Sequence, residues 1–89
     1  MPEVWIPSAL QKMTDGNRQV FIAGQTLRQV LDNLEATYPG VKVHLCDEQG
    51  ILPGIAVVVD GEDTALGLLQ PVHEHSEIHF LQAIGGGAN

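Results

Sequence analysis

Residues 78–89 have the sequence Ile78-His79-Phe80-Leu81-Gln82-Ala83-Ile84-Gly85-Gly86-Gly87-Ala88-Asn89, and the fold is organised around them. Ile78 and Phe80 alternate with less apolar neighbours and Gln82 keeps the phase, which predicts a β-strand with one face in a core. Glycine has no Cβ and restricts the backbone little, so residues 85–87 predict a thin tail on a rigid strand. Such a tail can enter a narrow channel in another protein, as required if chemistry takes place on a terminal carboxylate. Most glycine-rich termini are inert ends, so the rest of the chain has to support this interpretation.

The composition indicates one small domain. The chain has 89 residues, 44% of them apolar, which is enough for a single hydrophobic core. Cys46 is the only cysteine, so no disulfide can form within the chain and packing must supply the stability. No run approaches the ~18 apolar residues of a membrane helix, and the first residues lack the pattern of a secretory signal. We therefore expect a cytoplasmic protein.

The charge pattern restricts the partners. The formal net charge is -7, and the four Lys and Arg residues are scattered over positions Lys12, Arg18, Arg28 and Lys42. Binding to nucleic acid or to an anionic membrane requires clustered cations, so neither is expected as a partner. An acidic surface favours a protein partner with a basic docking face, although acidity also serves solubility.

Apolar runs predict four extended segments before the C-terminal strand, at residues 4–6, 19–23, 41–45 and 55–59. A long turn region connects the first two, over residues 8–17. The sequence Ile55-Ala56-Val57-Val58-Val59 is the most strongly β run in the chain, and its continuous apolar character predicts burial on both faces. This strand and the C-terminal strand are expected at the centre of the sheet.

One amphipathic helix is predicted at residues 27–38. Thr26 and Gln29 fit a capping box at its start, and Pro39-Gly40 ends it. Its apolar stripe has helical spacing and consists of Leu27, Val30, Leu31, Leu34 and Tyr38. One helix on one face of a mixed sheet gives an α+β fold, the β-grasp (ubiquitin-like) arrangement. The β-grasp domain is expected over residues 1–84, with a glycine-rich tail over 85–89.

Five segments spread over nearly the whole chain carry a resemblance to a known family, at residues 4–10, 24–31, 34–40, 57–63 and 80–87. Val57-Val58-Val59-Asp60-Gly61-Glu62-Asp63 is similar to a strand and turn of the form V-N-x-E-D. Phe80-Leu81-Gln82-Ala83-Ile84-Gly85-Gly86-Gly87 is similar to the ending F-x-P-x-x-x-G-G. The chain thus resembles the ubiquitin-like sulfur-carrier family that includes MoaD and ThiS, and within it the CysO-type carriers of cysteine biosynthesis.

Two positions depart from the family pattern. Gln82 stands where a proline is usual, on the approach to the tail. Ala88-Asn89 follow the Gly86-Gly87 diglycine, whereas mature family members end at the second glycine. The resemblance therefore implies either that a peptidase removes these two residues or that the chain is inactive. A register that uses Gly85-Gly86 stays open, but a register that ends at Gly87 keeps the family spacing from Phe80.

The resemblance implies a protein-borne substrate and not an enzyme, with no catalytic residue and no bound cofactor of its own. An E1-like partner would use ATP to adenylate Gly87, and sulfide or a persulfide would then form a thiocarboxylate. A sulfur-accepting synthase would take the sulfur into cysteine, with molybdopterin and thiamine as the other outcomes. A JAMM-type peptidase would expose Gly87 beforehand.

The expected docking surface combines the apolar sheet with acidic residues, and its candidates are Phe80, Glu62, Asp63, Glu74 and Glu77. The same acidic residues are also explained without a docking role, as side chains of solvent-exposed turns. Trp5 is expected in core or edge packing rather than on a binding platform.

The histidines and the cysteine could indicate metal or redox chemistry, but the evidence for either is weaker. His73, His75 and His79 suggest a zinc site, but no second ligand cluster accompanies them, so no metal is expected. A redox or sulfur-relay role for Cys46 has little support, since buried thiols are usually inert. Two alternative functions remain: a ubiquitin-like modifier conjugated to lysines through the same glycine, and a plain interaction module with an inert tail.

Overall fold

A five-stranded mixed sheet with one main helix forms the fold. The computed structural model describes residues 1–82, so every statement below concerns that part of the chain. The strands are β1 (Glu3–Trp5), β2 (Gln19–Phe21), β3 (Cys46–Asp47), β4 (Gly50–Ile51), β5 (Ile55–Val59), β6 (Glu62–Asp63) and β7 (Glu77–Gln82). The main sheet has the order β2-β1-β7-β5-β6, and β3 and β4 form a separate hairpin. The described residues also form the α-helix α1 (Leu27–Thr37) and 3₁₀ helices at Ser8–Thr14, Lys42–His44 and Gly67–Leu69.

Strand β7 lies at the centre of the main sheet, as its apolar alternation predicts. It runs parallel to β1 and antiparallel to β5, with Gln82 opposite Ile55 at the last described pair. Ile78 is fully buried and Phe80 is only 6% exposed, so both face the core beneath α1. Because two neighbouring strands hold β7, the chain reaches residue 82 as part of a rigid sheet.

The capping prediction for α1 is confirmed, with one difference. The Gln29 N–H donates to Thr26 Oγ1 at 3.2 Å, and Gln29 Oε1 accepts from the Gln25 N–H at 2.9 Å. The return bond therefore reaches the residue before the N-cap and not the N-cap itself. Leu27, Val30, Leu31 and Leu34 are completely buried and form the helical side of the core.

Gly24 sets the distance between the second strand and α1. Its φ is +156°, and a Cβ added there would lie 2.6 Å from Val30 Cγ2 and 2.7 Å from Val30 N. No real Cβ approaches a backbone atom so closely, so the first helical turn can lie here only because residue 24 has no side chain.

Two local predictions are wrong. Residues 41–45 contain a 3₁₀ helix, Lys42–His44, and not an extended piece. The reason is Glu35, whose carboxylate accepts from the N–H groups of Gly40 and Lys42, each at 2.9 Å, and so holds the chain in a turn. The turn region after the first strand likewise contains a seven-residue 3₁₀ helix, Ser8–Thr14.

Burial of β5 is one-sided, which corrects the expectation of burial on both faces. Val57 and Val59 are 3% and 6% exposed, whereas Ala56 and Val58 on the other face are half-buried. Helix α1 covers only one face of the sheet, and no described residue covers the other. None of the helices in residues 1–82 is long and apolar enough to cross a membrane.

Candidate functional site

A polar network fixes the start of β7, the strand that leads to the predicted tail. Ser76 is 1% exposed, and its Oγ accepts from the His73 N–H and donates to Asp60 Oδ2, both at 2.8 Å. Asp60 Oδ1 also accepts from the Glu77 N–H at 2.9 Å. The β5–β6 turn is thereby tied to the first residue of β7, which sets where the strand begins and where it points.

The predicted reactive residues lie beyond the described part of the chain. Gly85, Gly86 and Gly87, with the predicted processing site Ala88-Asn89, fall outside residues 1–82. What the structure defines is the strand that leads to them and the surfaces on either side of it.

The uncovered face of the sheet, which we call the open face, carries an aromatic pair at its centre. Trp5 lies opposite His79 across the parallel β1–β7 pair, and their rings stack with centroids 5.3 Å apart and an interplanar angle of 10°. The same row continues to Val58 on β5. Phe21 and Leu81 lie on this face too, 58% and 53% exposed. This half-buried row with exposed apolar side chains on either side is a candidate protein-binding surface.

The Trp5 indole nitrogen is buried, although the ring lies on the open face. Among the buried side-chain nitrogen and oxygen atoms of residues 1–82, Trp5 Nε1 is the one without a hydrogen-bond partner. A buried, unpaired N–H is a local cost to stability, and this one is enclosed by the protein itself. Trp5 was expected in core or edge packing; it lies half-buried on the open face and packs on His79 of the neighbouring strand.

Two of the predicted acidic docking residues lie on the open face. Asp63 pairs with Val58 at the β6 edge, and Glu77 pairs with Glu3. Glu62 is exposed on the same short edge strand, opposite the inward-facing Val59. Glu3, which the sequence did not single out, adds a third carboxylate to the open face. These groups form an acidic border around the aromatic pair, which suits a basic partner surface.

Glu74 and Phe80 lie elsewhere. Glu74 accepts a hydrogen bond from the Met1 ammonium at 2.7 Å, which lowers the pKa of the Glu74 carboxyl. Phe80 is 6% exposed in the core, so Leu81 beside it offers the exposed apolar surface. The predicted docking set is thus divided between the open face, a loop and the core. The register of β1 against β7, which brings Trp5 beside His79, depends on long-range pairing that the sequence pattern does not reveal.

The residues weighed for metal or redox chemistry are dispersed. Within residues 1–82, no three His, Cys, Asp or Glu side chains lie close enough together to hold a metal ion. His73 and His75 are exposed in the loop before β7, and His79 belongs to the aromatic pair. Cys46 is 3% exposed, and burial raises the pKa of its thiol, which disfavours the reactive thiolate.

Comparison with known proteins gives consistent matches over the whole domain. Residues 4–87 match the ThiS family model. The sulfur carrier protein CysO of Mycobacterium tuberculosis is 32% identical over 91 residues, which cover 94% of this chain and 96% of that protein.

Solved structures agree with this match. A chain of the Amycolatopsis orientalis BexX/CysO complex has a TM-score of 0.90 at 30% identity and covers 98% of this chain and 100% of its own. The M. tuberculosis CysO structure has a TM-score of 0.88 at 28% identity, with 94% and 100% covered. These matches confirm the predicted β-grasp fold.

Proposed function

This chain belongs to the ThiS family and is a sulfur carrier of the ThiS/CysO type, and from that premise we propose how it carries sulfur. Removal of Ala88-Asn89 exposes the carboxylate of Gly87, which a partner enzyme adenylates and converts to a thiocarboxylate. The thiocarboxylate donates its sulfur to a biosynthetic pathway, with cysteine biosynthesis favoured over molybdopterin and thiamine. The carrier is a substrate of its partners and performs no catalysis itself.

The single observation that carries the proposal is the extent of the family match. It runs from residue 4 to residue 87 and therefore stops at the third glycine, with Ala88-Asn89 beyond it. This agrees with the register in which Gly86-Gly87 is the diglycine. The central position of β7 supports the same reading, because the strand that leads to these residues is held between two neighbouring strands.

The chemistry explains why a glycine terminus and an external ATP are needed. A carboxylate is a poor electrophile, so a Gly87 carboxylate oxygen first attacks the α-phosphate of ATP, and pyrophosphate leaves. Sulfide then attacks the acyl carbon, the bond from that carbon to the AMP oxygen breaks, and AMP leaves. Both steps occur inside the partner, where a glycine presents no side chain to obstruct approach to the carbonyl.

The open face is the surface that we propose for docking the activating enzyme and the sulfur-accepting synthase. Trp5 with His79 forms a stacked aromatic centre, and Trp is among the residue types enriched at positions that dominate interface affinity. Glu3, Asp63 and Glu77 border it and match a basic partner surface. The Amycolatopsis CysO is found in a complex with BexX, which supports assembly of such a carrier with a protein partner. A JAMM-type peptidase is the proposed processing enzyme.

Intact-mass measurement tests the proposal. Chain trimmed to end at Gly87 is incubated with its activating enzyme, ATP and sulfide. The mass should increase by the difference between one sulfur and one oxygen, while chain that still ends at Asn89 should not change. An unchanged mass for the trimmed chain contradicts the proposal. Bands conjugated to other proteins, lost when Gly87 is changed, would instead identify a protein modifier.

A further inference from the structure

The outer edge of β2 presents backbone groups that no residue among 1–82 pairs with. The Ile22 N–H donates to the Pro2 carbonyl at 3.0 Å, so the even-numbered residues of this segment turn their backbone groups towards β1. Because the N–H and C=O groups of successive strand residues point to opposite sides, Gln19 and Phe21 direct theirs away from β1. Two N–H and two C=O groups are therefore available along this edge to another strand.

The two edges of the main sheet are protected to different degrees. At the opposite edge, β6 consists of Glu62 and Asp63, whose exposed carboxylates disfavour pairing with another strand. Strand β2 consists of Gln19, Val20 and Phe21, and has neither a charged side chain nor a proline. Its backbone is therefore open to a partner strand, while that of β6 is guarded.

A groove of 720 Å³ lies between this edge and α1, and we call it the edge groove. Asn33 Nδ2 on α1 donates to the Ala23 carbonyl at 2.9 Å, which holds the helix wall of the edge groove against the end of the second strand. None of its lining side chains is charged at neutral pH, although the chain has a net charge of -7. The lining consists of Met1, Asn17, Gln19, Val20, Phe21, Ile22, Ala23, Asn33, Ala36, Thr37 and Tyr38. The edge groove is thus suited to small or aliphatic side chains and not to a charged ligand.

We propose that the edge groove binds an extended segment of a protein partner by strand addition. The segment pairs with the backbone of Gln19 and Phe21, and every second side chain points into the edge groove. The other side chains lie beside Phe21, which is 58% exposed on the open face, so the added strand continues the surface proposed for docking. A second copy of this chain is a poor occupant, because two molecules of net charge -7 repel each other.

Amide hydrogen exchange measured by NMR tests strand addition with a synthetic peptide. The probe has seven residues, alternates valine with threonine, and carries a lysine at each end for attraction to an acidic protein. At saturation it should slow exchange of the Gln19 and Phe21 amides by about tenfold or more. The Val20 amide, which faces β1, is the internal reference. Unchanged exchange at Gln19 and Phe21, or equal protection at Glu62 and Asp63, would overturn the proposal.

Sedimentation of the chain without peptide tests the alternative occupant. The chain should be monomeric, with the Gln19 and Phe21 amides open to exchange. A dimer in which these two amides are already protected would identify a second copy as the occupant and overturn the proposal.

Two variants of one residue separate backbone pairing from side-chain contact. Phe21→Ala and Phe21→Pro both remove the ring, but only proline also removes the outward N–H. Proline is tolerated on an edge strand where its nitrogen faces solvent, so protection of the Val20 amide should persist in both. Phe21→Pro should bind the peptide about tenfold more weakly than Phe21→Ala, the value of about one backbone hydrogen bond. Equal affinities would overturn the proposal, and the exchange measurement on the unchanged chain decides it alone if Phe21→Pro does not fold.

This inference and the proposed function can fail separately. Peptide binding is measured on the full-length chain without ATP, sulfide or an activating enzyme. Sulfur loading is measured by mass on the chain trimmed to Gly87, without the peptide. Failure of either measurement therefore leaves the other one standing.

Discussion

Replacing Gly24 by alanine should separate α1 from the sheet more than the same change at any other glycine of residues 1–82. The new Cβ would lie 2.6 Å from Val30 Cγ2 and 2.7 Å from Val30 N. The methyl carbon can rotate away, but the backbone nitrogen belongs to the first turns of α1 and moves only with the helix. Overpacking of this kind typically costs about 1–3 kcal/mol, and a side chain in this glycine-favouring backbone conformation adds about 1 kcal/mol.

The expected loss is therefore about 2–4 kcal/mol of unfolding free energy for Gly24→Ala. A domain of this length has a total stability of roughly 5–13 kcal/mol, so the variant should still fold. Gly50→Ala is the matched control, because Gly50 also has a positive φ, +129°, but has no atom within 4 Å of an added Cβ. It should lose only the cost of the backbone conformation, about 1 kcal/mol.

Urea unfolding followed by fluorescence gives both values, because Trp5 is the only tryptophan and stacks on His79 in the folded sheet. The midpoint of Gly24→Ala should fall clearly below that of Gly50→Ala, with an unchanged dependence of stability on urea. Equal midpoints would show that the close approach to Val30 does not limit the position of α1, and the reasoning would be refuted.

Three further predictions follow from other contacts. Ser76→Ala should destabilise by about 1–2 kcal/mol in the same urea assay, since it removes two hydrogen bonds at the base of β7, while Ser8→Ala at an exposed serine should have almost no effect. Trp5→Ala should weaken binding to the activating enzyme by about 30-fold in calorimetry, the typical loss for an aromatic anchor. Val43→Ala, which changes an exposed apolar residue away from the open face, should leave the affinity unchanged. Equal losses of affinity would exclude the open face as the docking surface. Hydrogen bonds from two backbone N–H groups lower the pKa of Glu35. The stabilisation that the Glu35 carboxylate gives the fold is therefore present above the pKa of Glu35 in the unfolded chain, and it disappears as the pH falls through the pKa of Glu35 in the folded chain. The melting temperature should therefore fall less between pH 7 and pH 3 for Glu35→Gln than for the unchanged chain. An equal fall in melting temperature would contradict this.

The sequence predicted those parts of the fold whose signals are local. The stripe of α1, the cap at Thr26 and the alternation of Ile78 and Phe80 each depend on residues within a few positions of one another. The order of the elements then left few ways to cover the sheet, and the β-grasp prediction is confirmed.

The wrong predictions depend on contacts that the apolar pattern of one segment does not contain. Glu35 turns the chain at Gly40 and Lys42 by accepting their N–H groups, which no propensity at residues 41–45 reveals. The aromatic pair on the open face likewise requires the parallel register of β1 with β7, across more than seventy residues of chain. The predicted reactive residue Gly87 stays a prediction from the family pattern, since it lies outside residues 1–82.

The central claim is that Gly87, once it is the C-terminal residue, carries the transferred sulfur as a thiocarboxylate. Its most direct test is the intact mass of chain ending at Gly87 after reaction with activating enzyme, ATP and sulfide. The account predicts replacement of one oxygen by one sulfur, located by fragmentation on Gly87 and dependent on ATP. Sulfur located on Cys46, or a mass that never changes, would contradict it.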